Sequence, residues 1–279
     1  MNTIEEHASF GGVQGVYTHE SEVVSGGMEF SVYLPPQAKR GPRPVLYYLS
    51  GLTCTQDNVT SKSGFQKYAS EQGLIVVCPD TSPRGSDFPG EHENYDFGSG
   101  AGFYLDATAS PWSSSYKMYS YIVDELPQII AANFQLETGR SGIFGHSMGG
   151  HGALVIGLRN PDKYQSISAF APIVAPSQVP WGQKAFANYL GSDPETWRQY
   201  DAVELIKSGL NMPGEILIDQ GTADPFLKEQ LRPELFEAVC QNAGQPVRIR
   251  RQEAYDHSYF FISSFMQDHI EHHAKILDL

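Results

Sequence analysis

Three short stretches of this chain carry side chains that could break an acyl bond together. The first is Ile143-Phe144-Gly145-His146-Ser147-Met148-Gly149, which fits G-x-S-x-G. The pattern alone is common, but apolar residues precede it and Gly150-His151-Gly152-Ala153-Leu154 follows it. That context reads as a strand, a sharp turn and a helix, with a serine held out at the apex as a nucleophile. Gly145 and Gly149 leave room where a Cβ would strike the neighbouring backbone. A serine hydroxyl is a weak nucleophile at neutral pH, so it needs a base, and the base needs a carboxylate to orient it. In this arrangement the chain order is serine, acid, histidine. Asp224, in Gly221-Thr222-Ala223-Asp224-Pro225, and His257, in Tyr255-Asp256-His257-Ser258, stand in that order.

Each candidate has a plainer reading. Asp224 precedes Pro225 and could simply cap a helix. Asp219 is a rival acid but falls at the end of a strand. His257 could be an ordinary loop histidine. His146 adjoins Ser147, but a sharp turn points it elsewhere. The oxyanion of a tetrahedral intermediate needs two N–H donors. Met148, the residue after the nucleophile, is one. Leu52 is the other, because Gly51 before it lets the backbone approach a ligand.

The elements that must hold these residues alternate in type. Met28, Phe30, Val32 and Leu34 alternate with Glu29, Ser31 and Tyr33, so residues 20–35 read as antiparallel strand with one wetter face. Val45–Leu49, 74–77 and 141–144 read as buried strands, and Ser166–Phe170, Glu215–Asp219 and Val247–Gln252 as further strands. Helices are expected over 63–72, 118–132, from the elbow to about Asn160, over 226–242 and over 259–275. The expected fold class is α/β, an α/β-hydrolase fold: a mostly parallel central sheet with helices on both faces. Residues 1–279 are expected to form one domain. The Pro-containing segment 171–212 is read as a small cap insertion. Residues 81–115 are irregular and rich in Gly, Ser and aromatics, which suits a loop that covers a site.

Composition narrows the function. The 279 residues are 41% hydrophobic with 15 Tyr and 15 Phe, which suits a large aromatic core. The net charge of −13 disfavours nucleic-acid and anionic-membrane partners. Met1–His7 lacks a basic and then apolar leader, and no apolar run approaches the roughly 20 residues that span a bilayer. Cys54, Cys78 and Cys240 are too few and too scattered for a disulfide framework or a zinc site, and this suggests a reducing cytoplasm. His269, His272 and His273 have helical spacing. Near a helix C-terminus they suit the dipole as cations better than they suit a metal. His92-Glu93, Asp96 and Asp106 do not match a metal-site pattern either. No metal and no cofactor is expected.

With those residues in view, the chain resembles the S-formylglutathione hydrolase (esterase D) family. The stretches that carry the likeness are Leu49–Thr55, Tyr95–Tyr104, Gly145–Leu154, Pro180–Phe186, Ile218–Gly221 and Tyr255–Tyr259. They spread over most of the chain. The loop Gly221–Phe226 departs from the charged version found in many relatives. The resemblance implies hydrolysis of a small-molecule glutathione thioester, S-formylglutathione, to glutathione and formate in formaldehyde removal. A general short-chain carboxylesterase is the alternative. It also implies activity on small aryl esters, a cytoplasmic setting and a homodimer. The family triad falls on Ser147, Asp224 and His257, and a thiol near the nucleophile falls on Cys54. Residues for the glutathione part are chosen by position alone, Trp181 and Lys184 in the cap with Lys62 and Lys117, and the resemblance adds Cys54.

Overall fold

The computed structural model describes residues 1–278. Among the described residues nine strands form one sheet in the order β1-β2-β3-β5-β4-β6-β7-β8-β9. The strands are β1 (Asn2–Ser9), β2 (Gly12–Ser21), β3 (Gly26–Leu34), β4 (Arg43–Leu49), β5 (Ile75–Pro79), β6 (Leu136–His146), β7 (Ser166–Phe170), β8 (Ile216–Gly221) and β9 (Val247–Gln252). From β5 across to β9 every neighbouring pair is parallel, whereas β1, β2, β3 and β5 pair antiparallel. This is the expected mostly parallel α/β sheet. Sequence reading missed β1 and most of β2. β1 is an exposed edge strand, so it has no buried face to leave an alternating pattern.

The helices are α1 (Gln56–Lys62), α2 (Phe65–Gln72), α3 (Met118–Ser120), α4 (Leu126–Asn133), α5 (Met148–Arg159), α6 (Pro180–Tyr189), α7 (Ala202–Lys207), α8 (Pro233–Ala243) and α9 (Tyr259–Ile276). They cover both faces, as alternation along β6 makes plain. A Cβ on Gly142 would meet His273 of α9, and Phe144 packs on the same histidine at 5.1 Å. Ile143 and Gly145 face the other way, onto Gly157 and Gly149 of α5. Both sides of the central strands are therefore buried, which is why they are apolar without a break.

Two expected helices are interrupted, and proline explains both. In 118–132, Pro127 has no N–H to give to the Val123 carbonyl, and the chain takes a wide π turn over Tyr121–Glu125. Lys163 Nζ donates to that carbonyl instead, at 3.0 Å. In 226–242, Pro233 follows Arg232, which sits at φ 52°, so a wide turn over Leu227–Leu231 ends before α8 begins. α1 was not anticipated either. It is closed by a capping box between Thr55 and Asn58.

The histidines near the end of α9 are not the dipole-stabilised cations expected from their position. His269 and His273 are fully buried. Their rings hydrogen-bond Ser168 Oγ at 2.8 and 2.9 Å, while His273 also meets Ser166 Oγ at 2.6 Å. His269 Nε2 lies 3.0 Å from Asp219 Oδ2, and that carboxylate also accepts from Arg250 and Gln252. Burial depresses both histidines below 6.5, and burial takes His272 and His151 down to about 4. Burial alone would raise Asp219, but its bonds to His269, Arg250 and Gln252 outweigh that and hold it near 2.

These shifts set an acid limit on stability. The folded chain holds the buried histidines neutral, whereas the unfolded chain protonates them below about 6.5. Stability should therefore be full above pH 6.5 and decline as pH falls from about 6.5 toward 4. The urea midpoint measured at several pH values checks this. A midpoint that does not fall across that window contradicts it.

Candidate active site

β6 ends at His146 and α5 begins at Met148, so one residue makes the whole turn. That residue, Ser147, adopts φ 57° and ψ −117°, a conformation that costs a non-glycine residue about 1–3 kcal/mol. Its backbone is pinned on both sides. Ser147 N donates to Phe170 O at 2.9 Å, and its carbonyl accepts from His151 N at 2.9 Å and Ile173 N at 3.3 Å. A Cβ on Gly149 would collide with the Leu49 carbonyl and lie 2.6 Å from Ser50 O. α5 therefore rests directly on the end of β4, and only glycine fits the contact.

The loop after β4 is equally constrained. Gly51 is so close that an added Cβ would be 3.2 Å from Ser147 Cβ. Tyr104 donates to Ser50 O at 2.9 Å, Thr53 N donates to Gly100 O at 2.9 Å, and Cys54 N donates to Gly51 O at 3.3 Å. The covering loop 81–115 thus supplies two of the three ties. Among the described residues Leu52 N–H has no backbone acceptor, and Met148 N–H is a first-turn donor without an intrahelical partner.

Asp224 and His257 come from the loops after β8 and β9, and these loops are laced to each other. Thr222 N donates to Gln252 O at 3.0 Å, Ala223 N to Tyr255 O at 3.0 Å, and Ala254 N to Thr222 Oγ1 at 3.0 Å. A side chain on Gly221 would run into the Tyr255 carbonyl. The result is a 2.6 Å contact between His257 Nδ1 and Asp224 Oδ2. Facing a carboxylate, Nδ1 must carry the proton, which leaves Nε2 as an acceptor. The capping reading of Asp224 does not hold: Oδ1 accepts from Phe226 N at 2.8 Å within a local turn, and the helical turn that follows has Phe226 at its N-cap with no side-chain cap. Gln220, which sequence reading missed, donates to Asp224 Oδ2 at 3.2 Å. The rival Asp219 is committed to Arg250, Gln252 and His269.

Ser147, Leu52 and His257 line one cavity of about 280 Å³. The Ser147–His257 hydrogen bond is not among those formed by the described residues; such bonds commonly tighten only when substrate docks. Cys54 and Trp181 line the cavity too. Gly51, Thr53 and His146 complete the wall with the aromatic side chains Tyr95, Phe226 and Tyr259. Trp181 Nε1 donates to Tyr95 OH at 3.1 Å, Trp181 stacks obliquely on Phe226 at 4.7 Å, and Phe226 meets His257 edge-on at 5.1 Å. Tyr95, Phe226 and Tyr259 were not singled out from sequence. Only the aromatic richness of the covering loop hinted at Tyr95. His146 packs 4.4 Å from the His257 ring, and burial, with His257 beside it, drives its own pKa far down. Cys54 is half-buried, and burial raises its thiol above 9.0.

The lysines separate. Lys184 is tied to Asp96 at 2.5 Å and lies outside the cavity wall. Lys62 lines a neighbouring groove. Lys117 bridges to Asp106 through the backbone, away from the cavity. Larger grooves exist, including one of about 490 Å³ between α7 and α8, but none contains a nucleophile beside a base.

Comparison with known proteins is decisive. Residues 21–272 match the Esterase family model, described as "Putative esterase". The mouse (Mus musculus) S-formylglutathione hydrolase is 54% identical over all of this chain and 99% of its own length. The cattle (Bos taurus) enzyme of that name is 52% identical over the same shares. The chain belongs to the S-formylglutathione hydrolase family. A solved S-formylglutathione hydrolase from Agrobacterium tumefaciens superposes with a TM-score of 0.97 at 53% identity, over 99% of this chain and 100% of that one. A ferulic acid esterase from Anaeromyces mucronatus shares the fold alone, with a TM-score of 0.70 at 21% identity over 98% of this chain and 93% of that one. The α/β-hydrolase architecture thus extends well beyond the family.

The elbow contact yields a direct test. Gly149→Ala should lower stability by about 1–3 kcal/mol or more, because the new methyl has backbone on its far side and nowhere to go. Chemical denaturation measures it. A substitution tolerated within about 0.5 kcal/mol would show that α5 can slide off β4.

Proposed function

We propose that this chain hydrolyses the thioester of S-formylglutathione, giving glutathione and formate, through a formyl-serine intermediate. Ser147 Oγ attacks the carbonyl carbon while His257 Nε2 takes its proton. Asp224 holds the imidazole in the required tautomer and stabilises the imidazolium. Leu52 and Met148 N–H donate to the oxyanion. The C–S bond breaks, and the imidazolium returns its proton to the departing sulfur. Water then attacks the formyl ester by the same route, its proton passing through His257, and formate leaves as Ser147 is restored.

The observation that carries this reading is the 2.6 Å His257–Asp224 pair, whose imidazole lines the same small cavity as Ser147. The alternative, a general short-chain carboxylesterase, uses the same machinery and differs only in the leaving group. Full-length identity above 50% to enzymes named for the glutathione thioester favours the first. We also read residues 1–279 as one domain with 171–212 as a cap, supported by one continuous sheet and by Trp181 reaching the cavity from that segment. The place of this reaction in formaldehyde removal, a cytoplasmic setting and a homodimer are part of the proposal. Three free cysteines fit a reducing compartment. Among the described residues no helix is long and apolar enough to cross a membrane.

Two measurements test the mechanism. Ser147→Ala should cut kcat on S-formylglutathione by about 10⁶, and Asp224→Asn by about 10⁴, with circular dichroism unchanged. Near-normal turnover by either variant would remove that residue from the proposed triad. The formyl group is tiny, so an acyl site matched to it is narrow. Across 4-nitrophenyl esters, kcat/KM should fall from formyl to acetyl and collapse by butyryl. Equal rates would contradict a narrow acyl site.

A further inference from the structure

A second groove, of about 470 Å³, adjoins the catalytic cavity, and Tyr259 forms a wall of both. Its other lining residues are Lys62, Ser258, Phe260 and Ser263. Lys62 Nζ stands 5.7 Å from the centre of the Tyr259 ring. Phe260 is 83% exposed, the most exposed large hydrophobic side chain among the described residues. An apolar ring left in water beside a cation, one wall away from a nucleophile, suits a ligand that is part organic chain and part anion.

Charge selects Lys62. The chain carries a net −13, so an anionic substrate needs a local cation to reach the cavity. Two other cations near it are already paired: Lys184 with Asp96, and Arg84 with Asp80 at 2.7 Å. Lys62 has no carboxylate partner within salt-bridge distance among the described residues. The start of α9 offers little in its place. Ser258 accepts from Phe260 N through its hydroxyl and from Phe261 N and Ile262 N through its carbonyl, while Asp256 takes Ser258 N.

We propose that this groove seats the peptide part of the leaving thiol, with Lys62 binding one of its carboxylates and Phe260 covering its backbone. The assignment rests on the glutathione-thioester reading above. A glycyl residue lies one peptide step, about 3.8 Å Cα to Cα, from the cysteinyl residue whose sulfur meets Ser147, and Tyr259 lines both spaces.

The test compares S-formylglutathione with neutral 4-nitrophenyl acetate in wild type, Lys62→Ala, Lys62→Glu and Lys62→Arg. In Lys62→Ala the ratio of the two kcat/KM values should drop about five- to tenfold through KM for the thioester. Lys62→Glu should drop it further, and Lys62→Arg should restore most of it. The Ki of S-methylglutathione against aryl-ester hydrolysis should rise by the same factor. Normal thioester turnover with an unmoved ratio and Ki overturns the Lys62 assignment alone. A fall confined to kcat, equal for both substrates, also overturns it. A wild-type enzyme that does not turn over S-formylglutathione overturns the substrate reading and this one with it.

Discussion

The contact between the first turn of α5 and the end of β4 governs the geometry of the site. With no side chain at Gly149, helix backbone lies against the Leu49 and Ser50 carbonyls. That approach leaves one residue to turn from β6 into α5, and Ser147 takes the strained conformation the turn demands. The strain is offset by the hydrogen bonds that Phe170 O, His151 N and Ile173 N make to the Ser147 backbone. One packing constraint therefore presents a hydroxyl at the sheet edge and sets the free Met148 N–H beside it. The same closeness draws Gly51 against Ser147, so the proposed second oxyanion donor depends on it as well.

The proposed acid and base, Asp224 and His257, are held differently. Neither sits on a regular element, yet their loops behave as one unit, because three backbone-directed hydrogen bonds and the bare Gly221 bind the β8 loop to the β9 loop. β8 and β9 are themselves parallel neighbours in the sheet. Their order is anchored beneath by a buried polar chain, in which Ser166 and Ser168 of β7 meet His273 and His269 of α9, and His269 passes on to Asp219 and Arg250. Each polar atom in that chain replaces the water lost on burial. The histidines of α9 serve the scaffold and remain neutral to do so.

The sequence carried the strand-turn-helix elbow because strain and close approach demand particular residues: Gly145, Ser147 and Gly149 leave a local signature. The order of Ser147, Asp224 and His257 was legible for the same reason, since each follows a recognisable strand. Less was legible where the signal is weak or non-local. β1 lacks an apolar face, and the wide turns before α4 and α8 answer to single prolines. The aromatic wall of Tyr95, Trp181, Phe226 and Tyr259 is drawn from four separate segments, and nothing in their spacing announces that they meet.

Local chemistry in the chain thus determined what kinds of group are present, which elements carry them and in what order they come. Only the folded arrangement decided their company. It paired Asp224 rather than Asp219 with His257, cancelled Lys184 with Asp96, and buried the α9 histidines. Those outcomes turn on a few ångströms between residues far apart in the chain, and on whether water can reach them. Periodicity and composition hold no record of either.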